Sequence, residues 1–536
     1  MKTLNSEAVG GLQSTDRRWK VLAVLCVAVF TINLDGTIVN VALPTLVREL
    51  GASTSRLQWV VDAYQLAFCA LVLAGGSLSD RFGRKGALLT GLAIFGIGTA
   101  AGSFGTSTGQ LIAARAVMGV GAALVFPNTL SILSNAFTDR SERAKAIGVW
   151  GATTGMGVAF GPIVGGWLLE RFWWGSVFLA MAPAAALAIV LVVVLVPTSR
   201  DPAAPRLDRV GLVLSTLTIG LLVDTIIEAP VRGWGASASL GGFGAAAVGL
   251  IAFVMWERRV AEPMLDVTLF TNLRFSAASG AVTVAFFTLL GFIFLITMYF
   301  QFLHGYSPFS TGLRLLPVAF SLGAASLMGP RLAVRIGNKA VVAAGLGLMA
   351  IGFAWISRSS VQTPYVEIVG QMLVTAGGLG LATAPATEAI MGVVPKEKAG
   401  IGSAVNDATR ELGGTLGVAV IGSVFASMYI HGIRSSGVAA VIPSALLARS
   451  KESVGAALIG ARQLATSNPH AATLLASAAH RAFFDGFKAG CLLAAGVALA
   501  GAAFVAVALP ARPTESPASE LTDLLATGPL EVREAS

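Results

Sequence analysis

Apolar runs of twenty residues or more alternate with short polar breaks from near the start of the chain almost to its end. A helix needs about 20 predominantly apolar residues to cross a bilayer, and fourteen stretches qualify. They fall near 19–43, 58–78, 86–105, 109–135, 145–169, 174–197, 209–229, 237–256, 275–303, 311–333, 339–357, 364–393, 400–430 and 483–509. The first follows Arg17, Arg18 and Lys20 with no small-residue cleavage site, which predicts a retained span rather than a signal peptide. Two stretches break the pattern. Residues 431–480 predict one or two surface helices, and the tail after Pro510, with Pro513 and Pro517 and mostly acidic charge, predicts disorder.

Composition agrees with this reading. Only 12% of the 536 residues are charged, against roughly 25% in soluble domains. The sixty-two glycines suit close helix packing in lipid. The net charge of +9 is scattered in small clusters between apolar runs, unlike the single basic face of a nucleic-acid binder. With the N-terminus inside, twenty-three of the thirty-seven Lys and Arg fall on the inner segments and ten on the outer ones. That asymmetry predicts both termini in the cytoplasm. Cys26, Cys69 and Cys491 show no disulfide or metal spacing, and the four histidines show no ligand spacing. No Gly-x4-Gly-Lys-Ser/Thr loop occurs, so neither a metal nor a nucleotide cofactor is expected. Nucleophile–base spacings and pore-loop repeats are lacking too, which argues against a membrane enzyme or a channel.

The chain also repeats itself. GGSLSDRFGRK at 75–85 and GPRLAVRIGNK at 329–339 share Gly, Leu, Arg, Gly and Lys at a constant offset of 254. Pro127-Asn128-Thr129 is echoed by Pro385-Ala386-Thr387. The first repeat lies between spans two and three and its echo between spans ten and eleven. The expectation is an all-α membrane protein arranged as 6+2+6. Its parts are a cytoplasmic segment 1–18, a six-helix bundle 19–200, two inserted helices 201–260, a second bundle 261–509 containing the outer loop, and a tail 510–536. Duplicated halves around a midplane site are a transporter architecture.

Ionisable groups inside spans are functional candidates by default. The acids are Asp35, Asp62, Asp224, Glu228, Glu388, Asp407 and Glu411; the bases are Arg115, Arg314 and Arg410. Asp35, nine residues before Pro44, and Arg115, about six residues into span four, enter from the same side to depths of roughly 13 and 9 Å. They are expected to pair, because a paired buried charge costs less than two lone ones. Asp62 is similarly placed in span two. In span thirteen Asp407 and Glu411 stand i,i+4 on one face, where two carboxylates disfavour joint ionisation and one can hold a proton; Arg410 can neutralise the other. Glu388 reaches a similar depth in span twelve. Asp224 and Glu228 lie near a span end and are expected to snorkel. Gly161-Pro162 predicts a bend in span five, with Gly157, Gly161 and Gly165 allowing close packing and a possible seal on one side of the site. Asp80, Arg81, Arg84 and Lys85 read either as a topology anchor or as an inner latch between the halves.

These motifs together resemble the fourteen-helix drug/proton antiporters of the major facilitator superfamily, which include exporters of quaternary ammonium compounds and viologens. LDGTIVNVALP (34–44) and QWVVDAYQLAF (58–68) are similar to that family's first and second helices, carrying Asp35 and Asp62. GGSLSDRFGRK (75–85), which holds Asp80, Arg81, Gly83 and Arg84, is the superfamily's loop signature. LIAARAVMGVGAA (111–123) resembles the fourth-helix motif, whose arginine, here Arg115, the resemblance implicates in proton coupling. GVAFGPIVGG (157–166) resembles the fifth-helix antiporter motif. GSAVNDATRELGGTLGVAV (402–420) is similar to the thirteenth helix, placing Asp407 and Glu411 where some members carry acids for cationic drugs. FWWGSVF (172–178) departs from the Trp-Arg-Trp pattern common near the sixth helix. The resemblance implies a monomeric, proton-driven exporter of small lipophilic or cationic substrates in a bacterial inner membrane, with lipid around it, no nucleic acid, and the proton gradient in place of a cofactor. The alternatives are a proton-driven exporter or flippase of a lipid or metabolite, and an uptake symporter.

Overall fold

In the computed structural model, described for residues 15–137, 139–199, 207–394 and 399–510, every regular element is helical. Fourteen helices are long and apolar enough to cross a membrane. Spans one to six are Arg17–Leu50, Thr54–Ser79, Arg84–Ser103, Thr108–Ala136, Ser141–Arg171 and Ser176–Leu195. Spans seven and eight are Arg209–Arg232 and Ser237–Glu257. Spans nine to fourteen are Leu273–Leu303, Pro308–Ile336, Asn338–Ile356, Tyr365–Met391, Gly402–Ser435 and Pro469–Ala508.

Polar side chains start many of these helices. Ser53, Ser107, Asp139, Asp208, Asn272, Ser307 and Asn468 each accept from a backbone N–H of the first turn, satisfying donors that the helix itself leaves open. Several spans outrun the apolar pattern. Span one continues past Pro44 to Leu50, so Asp35 lies near the middle of its helix rather than close to its far end. Span fourteen begins at Pro469, not at 483, because Ala471, Leu475, Ala478 and Ala482 form a buried stripe at helical spacing. The loop before it shortens accordingly and carries two helices, Ser444–Glu452 and Val454–Leu464.

The internal repeat is structural. Gly83 and Gly337 occupy the same place between two helices, both with positive φ (117° and 89°), which a residue with a Cβ adopts only with strain. Each half also builds the same close crossing. Spans three and four meet where a Cβ on Gly91 would stand 2.8 Å from the Gly121 carbonyl oxygen; spans eleven and twelve meet where a Cβ on Gly345 would stand 2.6 Å from that of Gly378. The inserted pair, spans seven and eight, pack on each other, and span seven lies along the seam between spans two and thirteen. That seam is one of the two places where the halves meet.

The end of the bundle carrying Gly83 and Gly337 is called here the basic end, for the arginines and lysines around it. Among the described residues, hydrogen bonds joining the two halves gather toward the opposite, far end. Thr54 donates to the Glu452 carbonyl at 2.8 Å, Gln58 to span thirteen, Gln301 to span one, and the Phe309 N–H to Glu170 at 3.2 Å. The one such bond nearer the basic end is a weak Cys69 thiol contact to the Ala408 carbonyl at 3.5 Å. The helix Val454–Leu464 adds to the closure, its Gly455 wedged against Val47 of span one and Phe302 of span nine.

Candidate functional site

At the centre of the first half, Asp35 of span one and Arg115 of span four form an ion pair, Nη1 to Oδ2 2.6 Å, with both side chains essentially sealed from solvent. The guanidinium is held from two further sides. Its Nε donates to the Val60 carbonyl at 3.0 Å, and its plane lies 4.3 Å from the Tyr64 ring centroid. Such burial is tolerable only because charge, hydrogen bonds and ring face compensate together. Asp35 keeps one oxygen, Oδ1, with no partner.

Span two presents a polar stripe toward the second half. Gln58, Asp62, Gln65 and Cys69 follow i, i+4, i+7, i+11, one face of a helix. Gln58, Gln65 and Cys69 meet span thirteen at Val418, Gly414 and Ala408. Asp62 is completely buried and neither of its oxygens has a partner. A carboxylate placed so, without water or a cation, is among the most expensive groups a protein can bury.

Span thirteen holds the second cluster. Arg410 approaches Asp407 at 3.9 Å and covers the Phe286 ring at 4.6 Å, while Glu411 stands one turn beyond Asp407. Asn406 accepts from Thr387 of span twelve at 3.1 Å, which fixes the helix rotation. Tyr64 belongs to the first cluster, its ring lying under the Arg115 guanidinium.

Other candidates fall elsewhere. Glu388, expected at a similar depth in span twelve, has an exposed side chain and no ion pair among the described residues. The helical rotation fixed by Thr387 turns the next residue away. Asp224 and Glu228 pair with Arg232 at 3.4 and 3.9 Å on a partly exposed surface and do not join the site. Arg314 sits over the rings of Tyr306 and Tyr365. The Asp80 side chain lies outside the described residues. Arg81 is exposed, the Arg84 N–H donates to the Ser199 carbonyl, and Lys85 donates to the Val193 carbonyl at 2.9 Å. Arg84 and Lys85 thus reach span six and the segment after it, within the first half.

Three glycines of span five, Gly157, Gly161 and Gly165, face span one. A Cβ on Gly157, Gly161 or Gly165 would strike Asn33, Thr37 or Ile38 respectively. Thr37 donates across the contact to the Val158 carbonyl at 3.1 Å. Beyond Pro162, which lies within a continuous helix, span five meets span ten. There a Cβ on Gly166 would be 2.5 Å from the Phe309 Cα, and one on Gly312 would be 2.3 Å from the Pro162 carbonyl oxygen. Backbone contacts this close close the far end between the halves. Gly166 and Gly312, like Gln58, Gln301 and Tyr64, were not singled out by sequence; the polar stripe of span two was the signal for Gln58.

Two six-helix halves related by an internal repeat, enclosing buried acids at mid-depth, define a secondary-transporter architecture. The Major Facilitator Superfamily profile matches residues 25–418. The chain belongs to the major facilitator superfamily and is a multi-pass membrane protein. It is 36% identical over 511 residues to the multidrug efflux pump LfrA of Mycolicibacterium smegmatis, covering 94% of this chain and 99% of that one. It is 33% identical to the methyl viologen resistance protein SmvA of Salmonella typhimurium, over 84% of this chain and 90% of that one. Among solved structures, a bacterial homologue of the human lysosomal transporter Spinster superposes with a TM-score of 0.64 at 17% identity, covering 94% of this chain and all of that one, and so shares the fold.

Proposed function

We propose that this chain is a proton-driven exporter of small lipophilic cations, working by alternating access with its basic end in the cytoplasm. The observation that carries the reading is the buried Asp35–Arg115 pair in the first half, with a second set of span-embedded acids, Asp407 beside Arg410 and Glu411, on span thirteen in the other half. The relatives named for multidrug efflux and viologen resistance support the substrate class. The excess of Lys and Arg around the basic end supports the orientation. The division into two bundles, two inserted helices and an outer loop serves as the mechanical plan.

With the far end closed, the site communicates with the cytoplasm. There the acids of span thirteen, Asp407 and Glu411, attract a cation, partly balanced by Arg410. After the halves rock, protons arriving from outside neutralise these acids and Asp35. The cation is released, Arg115 loses its partner, and the unloaded carrier returns. Voltage constrains the count. The membrane potential is worth about 2.3 kcal/mol per charge per 100 mV. One proton exchanged for one monovalent cation moves no net charge, so drawing on voltage takes more than one proton.

Asp62 is assigned a proton that it binds and releases during the cycle, since among the described residues neither of its oxygens has a hydrogen-bond partner. Asp62→Asn, which mimics the protonated acid, is then expected to fold with unchanged thermal stability while the protons counted per substrate fall by one. Flux ratios of pH-sensitive and substrate dyes in proteoliposomes provide the count. An unaltered ratio removes Asp62 from the coupling path. Export itself is tested by proton-driven movement of a fluorescent lipophilic cation in proteoliposomes.

A further inference from the structure

Two glutamines cross from one half to the other at the far end, and both are buried. Gln58 of span two, fully sealed, donates its amide to the Val418 and Ala419 carbonyls of span thirteen at 3.1 and 3.0 Å, and lies 3.3 Å from the Ser423 hydroxyl. Gln301 of span nine donates to the Val41 carbonyl of span one at 2.9 Å. The pairing runs in opposite directions: one bolt goes from the first half to the second, the other from the second to the first. In each case the side-chain oxygen has no partner, so each amide is committed through its NH2 group alone.

The local structure is shaped around these contacts. Gly422 leaves the space for Gln58, since a Cβ there would stand 2.6 Å from the amide nitrogen. Gln301 lies in a π-helical turn, Tyr299–Leu303, that ends span nine. A π turn rotates the residues it contains relative to an α-helix, and such turns often mark functional positions. The acceptors are main-chain carbonyls whose second lone pair remains open to an outside donor. Neither bond touches the buried charges of the site.

We propose that Gln58 and Gln301 are the paired bolts of the far gate, holding the site closed to the outside until both amides let go of their carbonyls together. They are positioning residues: they set the balance between the two faces of the cycle and leave substrate chemistry to the acids. This rests on the alternating-access reading above. Each buried bond contributes a modest net free energy, equivalent to a factor of roughly 2–10 in an equilibrium. Losing both moves the population toward the outward-open state by about tenfold or more.

The test uses the full chain in lipid nanodiscs, its three native cysteines replaced by alanine. Spin labels are placed at Glu49→Cys and Val361→Cys, exposed positions in opposite halves at the far end. Gln58→Ala combined with Gln301→Ala is expected to raise the long-distance fraction about tenfold. Transport would show a lowered maximal rate with a smaller change in half-saturation. Gly422→Ala, which displaces Gln58 but keeps both amides, is expected to shift the distribution the same way by a smaller factor. It decides the matter if the double variant fails to fold. Unchanged distances in folded Gly422→Ala and double-variant protein overturn the latch. Failure of wild type to export a cation would sink the exporter reading and leave the distance measurement standing.

Discussion

Asp35→Asn is expected to abolish proton-driven transport and to destabilise the folded chain by about 3–5 kcal/mol, the range for breaking a buried ion pair from one side. The cost comes from Arg115, left charged and buried against Tyr64 with its carboxylate gone. Removing both partners should behave differently. In Asp35→Leu with Arg115→Leu no buried charge remains, so thermal melts in detergent should recover most of the lost stability, while transport stays absent. A single variant that melts like wild type would mean that the pair is not held as tightly as its 2.6 Å contact states.

Gly161→Val is expected to cut export by roughly 100-fold, the scale on which about 1 Å of misplacement acts in an active site. The Cβ would lie 2.0 Å from the Thr37 hydroxyl oxygen, 2.8 Å from the Leu34 carbonyl oxygen and 3.0 Å from the Ile38 nitrogen. Most of that clash is with backbone, so span one itself must move, and Asp35 stands between those residues. Gly155→Ala on the same helix, where nothing lies within 4 Å of the added carbon, is the control and should transport normally. Initial rates of dye efflux for the two variants, each checked for folding by gel filtration, make the comparison. Equal rates would remove the span-one contact of span five from the mechanism.

The number of spans and the division into repeated halves were legible because both rest on local signals. Twenty apolar residues announce a span wherever it packs, and a glycine between two helices keeps its place at 83 and 337 through duplication. Helix ends were less legible. Residues 469–482 alternate alanine, leucine and polar groups, a pattern that fits a surface helix or the first turns of a span until the neighbouring helices are known. Depth misled in the same way: with Pro44 read as an end, Asp35 seemed shallower than it is, although its pairing with Arg115 followed from charge alone.

Rotation about a helix axis was the harder quantity. Glu388 and Asp407 have the same credentials in sequence, an acid near the end of an apolar run, yet one is exposed and the other partly buried beside Arg410. Gln301 was invisible for a related reason, and Gln58 was marked only by the polar stripe it shares with Asp62 and Gln65. An amide in a span can bond its own helix or a neighbour's, and only the tertiary contact distinguishes them. Tyr64, six residues from Gln58 on a different face, reads as an ordinary interior aromatic until Arg115 is seen over its ring.

The most direct test of the account is proton-driven transport of a fluorescent lipophilic cation in proteoliposomes, comparing wild type with Asp35→Asn and Asp407→Asn. The account predicts uptake into inside-acid vesicles by wild-type transporter oriented with its basic end outward, and loss of that flux in both variants. A folded wild type that moves no cation under the same gradient would contradict it and point instead to a lipid or a neutral metabolite as the cargo.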